Sequence, residues 1–129
     1  MKKVFLIDDD PIFVFLAERL IKTVDVSLNV EMYADGELAM NELDRIEAAG
    51  GQLPNIILLD LNMPVMDGWQ FLEYYSSVYE VIGKKIAIYI LSSTISPEDV
   101  ERSKRYSFVL DLLIKPIRKE QVVRVLKNP

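Results

Sequence analysis

Histidine and cysteine are both absent from the 129 residues. Without an imidazole the chain has no ordinary side-chain base titrating near neutral pH, and without a thiol it has no thiolate nucleophile, no Cys/His metal site and no disulfide. Long hydrophobic runs are missing too. The apolar stretch Ile86-Ala87-Ile88-Tyr89-Ile90-Leu91 is far shorter than the roughly 20 residues that span a bilayer. At the N-terminus, Asp8, Asp9 and Asp10 end the run Val4-Phe5-Leu6-Ile7, too early for a signal peptide. An excess of basic charge is also lacking. Fifteen Lys and Arg against twenty Asp and Glu give a net charge of −5, which argues against nucleic-acid binding, because phosphate contacts draw on clustered cations. With 50% hydrophobic and 27% charged residues, the composition is that of a folded domain, neither a disordered tail nor a membrane protein. The expectation is one cytoplasmic domain over residues 1–129, with no output domain attached.

What is there alternates. Apolar runs bounded by turn residues are interleaved with stretches of helical period, the signature of an α/β fold whose parallel sheet is covered on both faces. The predicted strands cover residues 4–7, 27–33, 56–60, 86–91 and 109–114. The first helix begins at Pro11 and repeats apolar residues at Phe13, Leu16, Ala17, Leu20, Ile21 and Val24. A second opens at Asp35-Gly36 and ends at Gly50-Gly51. The third carries Trp69, Phe71, Leu72, Tyr75 and Val78. A weaker fourth runs from Pro97 to about Tyr106, and a fifth over residues 119–127 turns Val122, Val123, Val125 and Leu126 inward.

In an open parallel sheet the ligand site lies beyond the carboxyl ends of the strands. Four of the five predicted strands end in polar groups: Asp8-Asp9-Asp10, Asp60, Ser92-Ser93-Thr94 and Lys115-Pro116. Singly, each has an ordinary reading. Aspartate after a strand is commonly a helix cap, the role Asp10 fits, and Asp67-Gly68 reads as structural in the same way. Lys115 alone is an exposed lysine, and Ser92 alone a turn hydroxyl. Together they are harder to dismiss, because like charges held close resist joint ionisation unless a cation joins them. Asp8, Asp9 and Asp60 read as a cup for Mg²⁺, which binds through few carboxylates and keeps several waters. Beside them Lys115 pairs with a phosphoryl oxygen as a point charge, and Ser92 donates a hydrogen bond to it. The chemistry this set supports is phosphoryl transfer onto a carboxylate. Asp60, alone at the end of its strand, is the best nucleophile, since Asp8 and Asp9 are adjacent and better placed to hold metal.

With those residues in view, the chain resembles the receiver domain of two-component response regulators along its whole length. The resemblance is carried by residues 5–11, by the segment Ile57-Leu58-Leu59-Asp60-Leu61-Asn62-Met63-Pro64-Val65-Met66-Asp67-Gly68, by Leu91-Ser92-Ser93 and by Leu113-Ile114-Lys115-Pro116. It implies a flavodoxin-like doubly wound (βα)5 fold with strand order 2-1-3-4-5 and Asp60 as phosphoacceptor. It further implies Mg²⁺ held by Asp9, by Asp8 largely through water, by Asp60 and by the Asn62 backbone carbonyl. Ser92 matches the switch hydroxyl of the family, Lys115 its lysine, and Lys115-Pro116 is expected to be a cis peptide. The phosphoryl donor implied is a phosphohistidine on a separate histidine kinase or histidine phosphotransfer protein. One departure stands out: receivers often carry Tyr or Phe three residues before the lysine, where this chain has Leu112.

Other readings remain. A Mg²⁺-dependent phosphohydrolase with an aspartyl-phosphate intermediate has only Asp8/Asp10 and Asp60/Asn62 as candidate acid pairs and no length for a cap. A flavin-binding domain of the same topology lacks a glycine- and hydroxyl-rich loop over residues 7–13. A receiver whose phosphorylation is vestigial finds support only in Leu112. The succession Ile12-Phe13-Val14-Phe15-Leu16 exceeds one buried stripe and suggests a docking face on the first helix. The fourth helix, fifth strand and fifth helix form the other candidate surface, for output or a phosphorylation-dependent homodimer of an otherwise monomeric chain.

Overall fold

The computed structural model describes residues 2–81, 83 and 85–127. Five strands, β1 (Lys3–Ile7), β2 (Asn29–Tyr33), β3 (Ile56–Asp60), β4 (Ala87–Ser92) and β5 (Val109–Ile114), alternate with α1 (Pro11–Val24), α2 (Gly36–Ala48), α3 (Gly68–Tyr75), α4 (Pro97–Ser103) and α5 (Lys119–Lys127). The strands form one parallel sheet in the order β2-β1-β3-β4-β5. This is the flavodoxin-like order expected. The near-continuous apolar runs fall in the central strands, and every residue of β3 is buried, as a strand covered on both faces requires.

Alternation along the strands sends side chains to two cores. Phe5, Ile7, Ile57, Leu59, Ile88 and Ile90 meet Leu43 and Ile46 of α2 and Phe71, Leu72 and Tyr75 of α3. Val4, Leu6, Leu58, Tyr89, Leu91 and Leu113 meet Phe13, Ala17 and Ile21 of α1 and Val122 and Val125 of α5. Each fully buried Leu, Ile or Phe contributes about 1.5–3 kcal/mol relative to exposure.

The helix faces differ in detail from the periodic reading. Leu16 is 58% exposed, so the buried stripe of α1 is Phe13, Ala17 and Ile21. After Tyr75 the third helix widens into a π-helical turn, Ser76–Glu80. Within it Tyr79 is buried, its ring stacked on Tyr75 with centroids 5.8 Å apart, while Val78 is 39% exposed. α4 ends at Ser103, short of Tyr106, whose hydroxyl donates to Glu73 of α3 at 2.8 Å. In α5, Val122 and Val125 are buried, and Val123 and Leu126 only half-buried.

Candidate functional site

Parallel pairing brings all strand C-termini to one edge. Ile7 pairs with Leu59, Asp60 with Leu91 and Ser92 with Ile114, so residues 8, 60, 92 and 115 leave the sheet side by side. Asp8 is fixed through both carboxylate oxygens: Oδ1 accepts the Asp10 backbone N–H at 2.9 Å and Oδ2 accepts Lys115 Nζ at 2.6 Å. Lys115 Nζ also lies 3.4 Å from Asp60 Oδ1. Asp10 takes no part in this pairing. It caps α1 by accepting the Ile12 and Phe13 backbone N–H groups, which is the cap role read from the sequence.

Asp8 and Asp60 are buried and Asp9 is exposed, yet one carboxylate oxygen from each lies within 4.8 Å of the others. Burial raises the Asp60 pKa above its ordinary value. The Asp8 charge adds to that rise, and the Lys115 ammonium and the Asn62 backbone N–H work against it without cancelling it. For Lys115 burial disfavours the ammonium, but the hydrogen bond and charge of Asp8, with Asp60 beyond, outweigh it and raise its pKa. Three carboxylates thus gather where one ammonium pairs with two of them, Asp8 and Asp60. A donor set of hard oxygens with surplus negative charge, open on the Asp9 side, fits a small divalent cation such as Mg²⁺.

The cleft above these groups is lined by Asp9, Phe13, Asp60, Asn62, Ser93 and Lys115 among others. Lys115-Pro116 is a cis peptide, as expected. A match to the family described as response regulator receiver domain covers residues 4–127. The chain belongs to that family. This receiver is 28% identical over 126 residues to the probable methanogenesis regulatory protein FilR2 of Methanothrix harundinacea, a match spanning 97% of this chain and 79% of the relative. Among solved structures it is similar to a two-component response regulator from Cytophaga hutchinsonii, with TM-score 0.88, 27% identity, and 98% and 95% of the two chains covered. It is also similar to the phosphorylated cyanobacterial phytochrome response regulator RcpA, with TM-score 0.77, 30% identity, and 98% and 89% covered. Among the described residues of the receiver, no helix is long and apolar enough to cross a membrane.

The receiver's hydroxyls divide. Ser92 is buried, and its Oγ donates to the Thr94 carbonyl at 2.5 Å, while Ser93 lines the cleft. Leu112, opposite Ile90, is half-buried against the first core, and Tyr89 packs in the second, on the other face. Tyr106 is tied to Glu73. Two contacts escaped the sequence reading. Gly68 lies so close to β3 that a Cβ there would sit 2.5 Å from the Asp60 carbonyl oxygen; the glycine after a cap aspartate was its only signal. The Phe13 ring centroid lies 4.8 Å from Lys115 Nζ, and nothing local in the sequence announces that pairing.

Proposed function

We propose that this receiver accepts a phosphoryl group on Asp60 from a phosphohistidine carried by a separate histidine kinase or histidine phosphotransfer protein, in the cytoplasm. The observation that carries the reading is the Lys115 ammonium lying between Asp8 Oδ2 at 2.6 Å and Asp60 Oδ1 at 3.4 Å, at the floor of an open cleft. An Asp60 carboxylate oxygen forms the new P–O bond as the donor's P–N bond breaks, and the imidazole leaves with that electron pair and takes a proton from solvent. Lys115 offsets charge on the phosphoryl oxygens. The Ser92 hydroxyl exchanges the Thr94 carbonyl for a phosphoryl oxygen. Asp8, Asp9, Asp60 and the Asn62 main-chain carbonyl are the groups that would hold Mg²⁺, which when bound neutralises part of the phosphoryl charge.

These 129 residues include no histidine, so the donor phosphohistidine lies outside them. Ile12 at 72% and Leu16 at 58% exposure border the cleft, and Phe15 at 54% continues the same apolar helix surface. That face suits the helix bundle of a donor protein. Signalling then passes through protein contacts of the α4, β5 and α5 surface, in a monomer or a phosphorylation-dependent homodimer. Acetyl phosphate with Mg²⁺ is expected to add one phosphoryl group to the intact mass, and Asp60→Asn to prevent it. An unchanged mass in the folded wild-type protein would refute the reading.

A further inference from the structure

Lys115 is held by carboxylates on two sides, Asp8 and Asp60. A third neighbour neither accepts a hydrogen bond nor carries charge. The Phe13 ring lies against the ammonium, with its centroid 4.8 Å from Nζ. An aromatic face carries negative potential from its quadrupole and attracts a cation within about 6 Å of its centroid, more strongly where water is kept away. The Lys115 side chain is 16% exposed and Phe13 is 9% exposed, so this contact is largely desolvated.

Phe13 is also fixed independently of the lysine. Its backbone N–H donates to the Asp10 carboxylate at 3.3 Å, which sets the first turn of α1. Its side chain belongs to the core formed with Ala17, Leu91 and Ile117. The ring is therefore a rigid wall, anchored in the core and lining the cleft. By contrast, the lysine ammonium sits on four flexible methylenes, and its shorter contact, to Asp8, draws it away from Asp60.

We infer that Phe13 is a positioning residue for phosphoryl transfer: its ring face holds the Lys115 ammonium within reach of Asp60 and shields it from water. The inference rests on Asp60 being the phosphoacceptor. It assigns to α1 a part in the chemistry beyond covering the sheet, and predicts that the electron density of the ring, and not only its volume, sets the rate.

The test replaces Phe13 with para-fluoro-, difluoro- and trifluorophenylalanine, which drain the quadrupole at nearly constant shape, alongside Phe13→Tyr and Phe13→Leu. Phosphorylation by acetyl phosphate with Mg²⁺ is followed by intact mass, and each variant's thermal midpoint is recorded. The rate is expected to fall in order of fluorination while the midpoints stay level, Phe13→Tyr to keep it, and Phe13→Leu to lower it about three- to thirty-fold. In the metal-free protein the Lys115 Cε proton signals are expected upfield from the ring current and to return in Phe13→Leu. A flat fluorine series in a chain that phosphorylates, or Cε signals with no upfield displacement, overturns the inference alone. A wild-type chain that takes up no phosphoryl group ends the phosphoacceptor reading and this inference with it. Should Phe13→Leu fail to fold, the fluorinated series decides.

Discussion

Asp60 stands between two charges of opposite sign, and their balance decides its behaviour with pH. Burial and the Asp8 charge raise its pKa above the ordinary 3.8, against the pull of Lys115. The folded state therefore holds a proton on Asp60 that the unfolded state has released over the range from 3.8 up to the raised value. Stability falls as pH rises through that window, and at neutral pH the charged carboxylate costs the fold. Asp60→Asn is thus expected to raise the metal-free thermal midpoint at pH 7 and to leave it nearly unchanged below the window, as thermal melts at the two pH values would show. An equal gain at both would contradict the electrostatic account. Lys115 is the opposite case. Its raised pKa supplies stability that is fully present below 10.5 and lost only as pH climbs through the folded value. The residue types at these positions were legible in the sequence as polar groups at strand ends. Which carboxylate would take the shorter contact with Lys115 was not, because that depends on where two side chains far apart in the chain meet.

The segment joining β3 to α3 shows how an element holds the side chain of the candidate acceptor. Asp67 caps α3 by accepting the Gln70 backbone N–H, while the Gln70 side chain accepts the Asp67 N–H. This capping box places Gly68 directly against the end of β3. A methyl group there would sit 2.5 Å from the Asp60 carbonyl oxygen and 2.8 Å from Leu61 Cα. Gly68→Ala is expected to cost about 1–3 kcal/mol by overpacking and to slow phosphorylation, because the backbone carrying Asp60 must move. Chemical denaturation and acetyl phosphate kinetics on the same variant would show both effects, and a change in neither would mean the loop yields freely. Reading Asp67-Gly68 as structural was sound, yet its structural work is done on the candidate acceptor itself. Elsewhere, helices were legible from their period and their ends less so. Tyr74, Tyr75, Val78 and Tyr79 suit several helical phases, and the contacts of the Tyr74 and Tyr79 hydroxyls with Asp44, far away in the chain, are not encoded in that spacing.

At the scale of the molecule, a cation held by the acidic edge of the sheet would couple its binding to folding. A cation that binds only the folded state stabilises it by mass action, about 2.7 kcal/mol at a hundred times its dissociation constant. Mg²⁺ is therefore expected to raise the thermal midpoint, a chelator to reverse it, and Asp9→Asn to remove most of the gain. Because Asp9 is exposed, that variant should leave the metal-free midpoint nearly unchanged; a Mg²⁺ response equal to that of wild type would exclude Asp9 as a ligand. The sequence by itself determined the alternation of strands and helices, and hence the parallel sheet, because apolar runs, caps and turn residues are local signals. It also determined that none of these 129 residues can carry a phosphohistidine, since composition needs no coordinates. The strand-end positions of Asp8, Asp60, Ser92 and Lys115 followed from the same alternation, a parallel sheet bringing its C-terminal ends to one edge. Only the tertiary structure decided that Lys115 lies nearer Asp8 than Asp60, that Ser92 turns to the Thr94 carbonyl, that Leu16 faces outward and that the Phe13 ring covers the ammonium. Side-chain direction is set by packing among segments distant in the chain, as in the Asp8–Lys115 contact across 107 residues, and periodicity does not encode it.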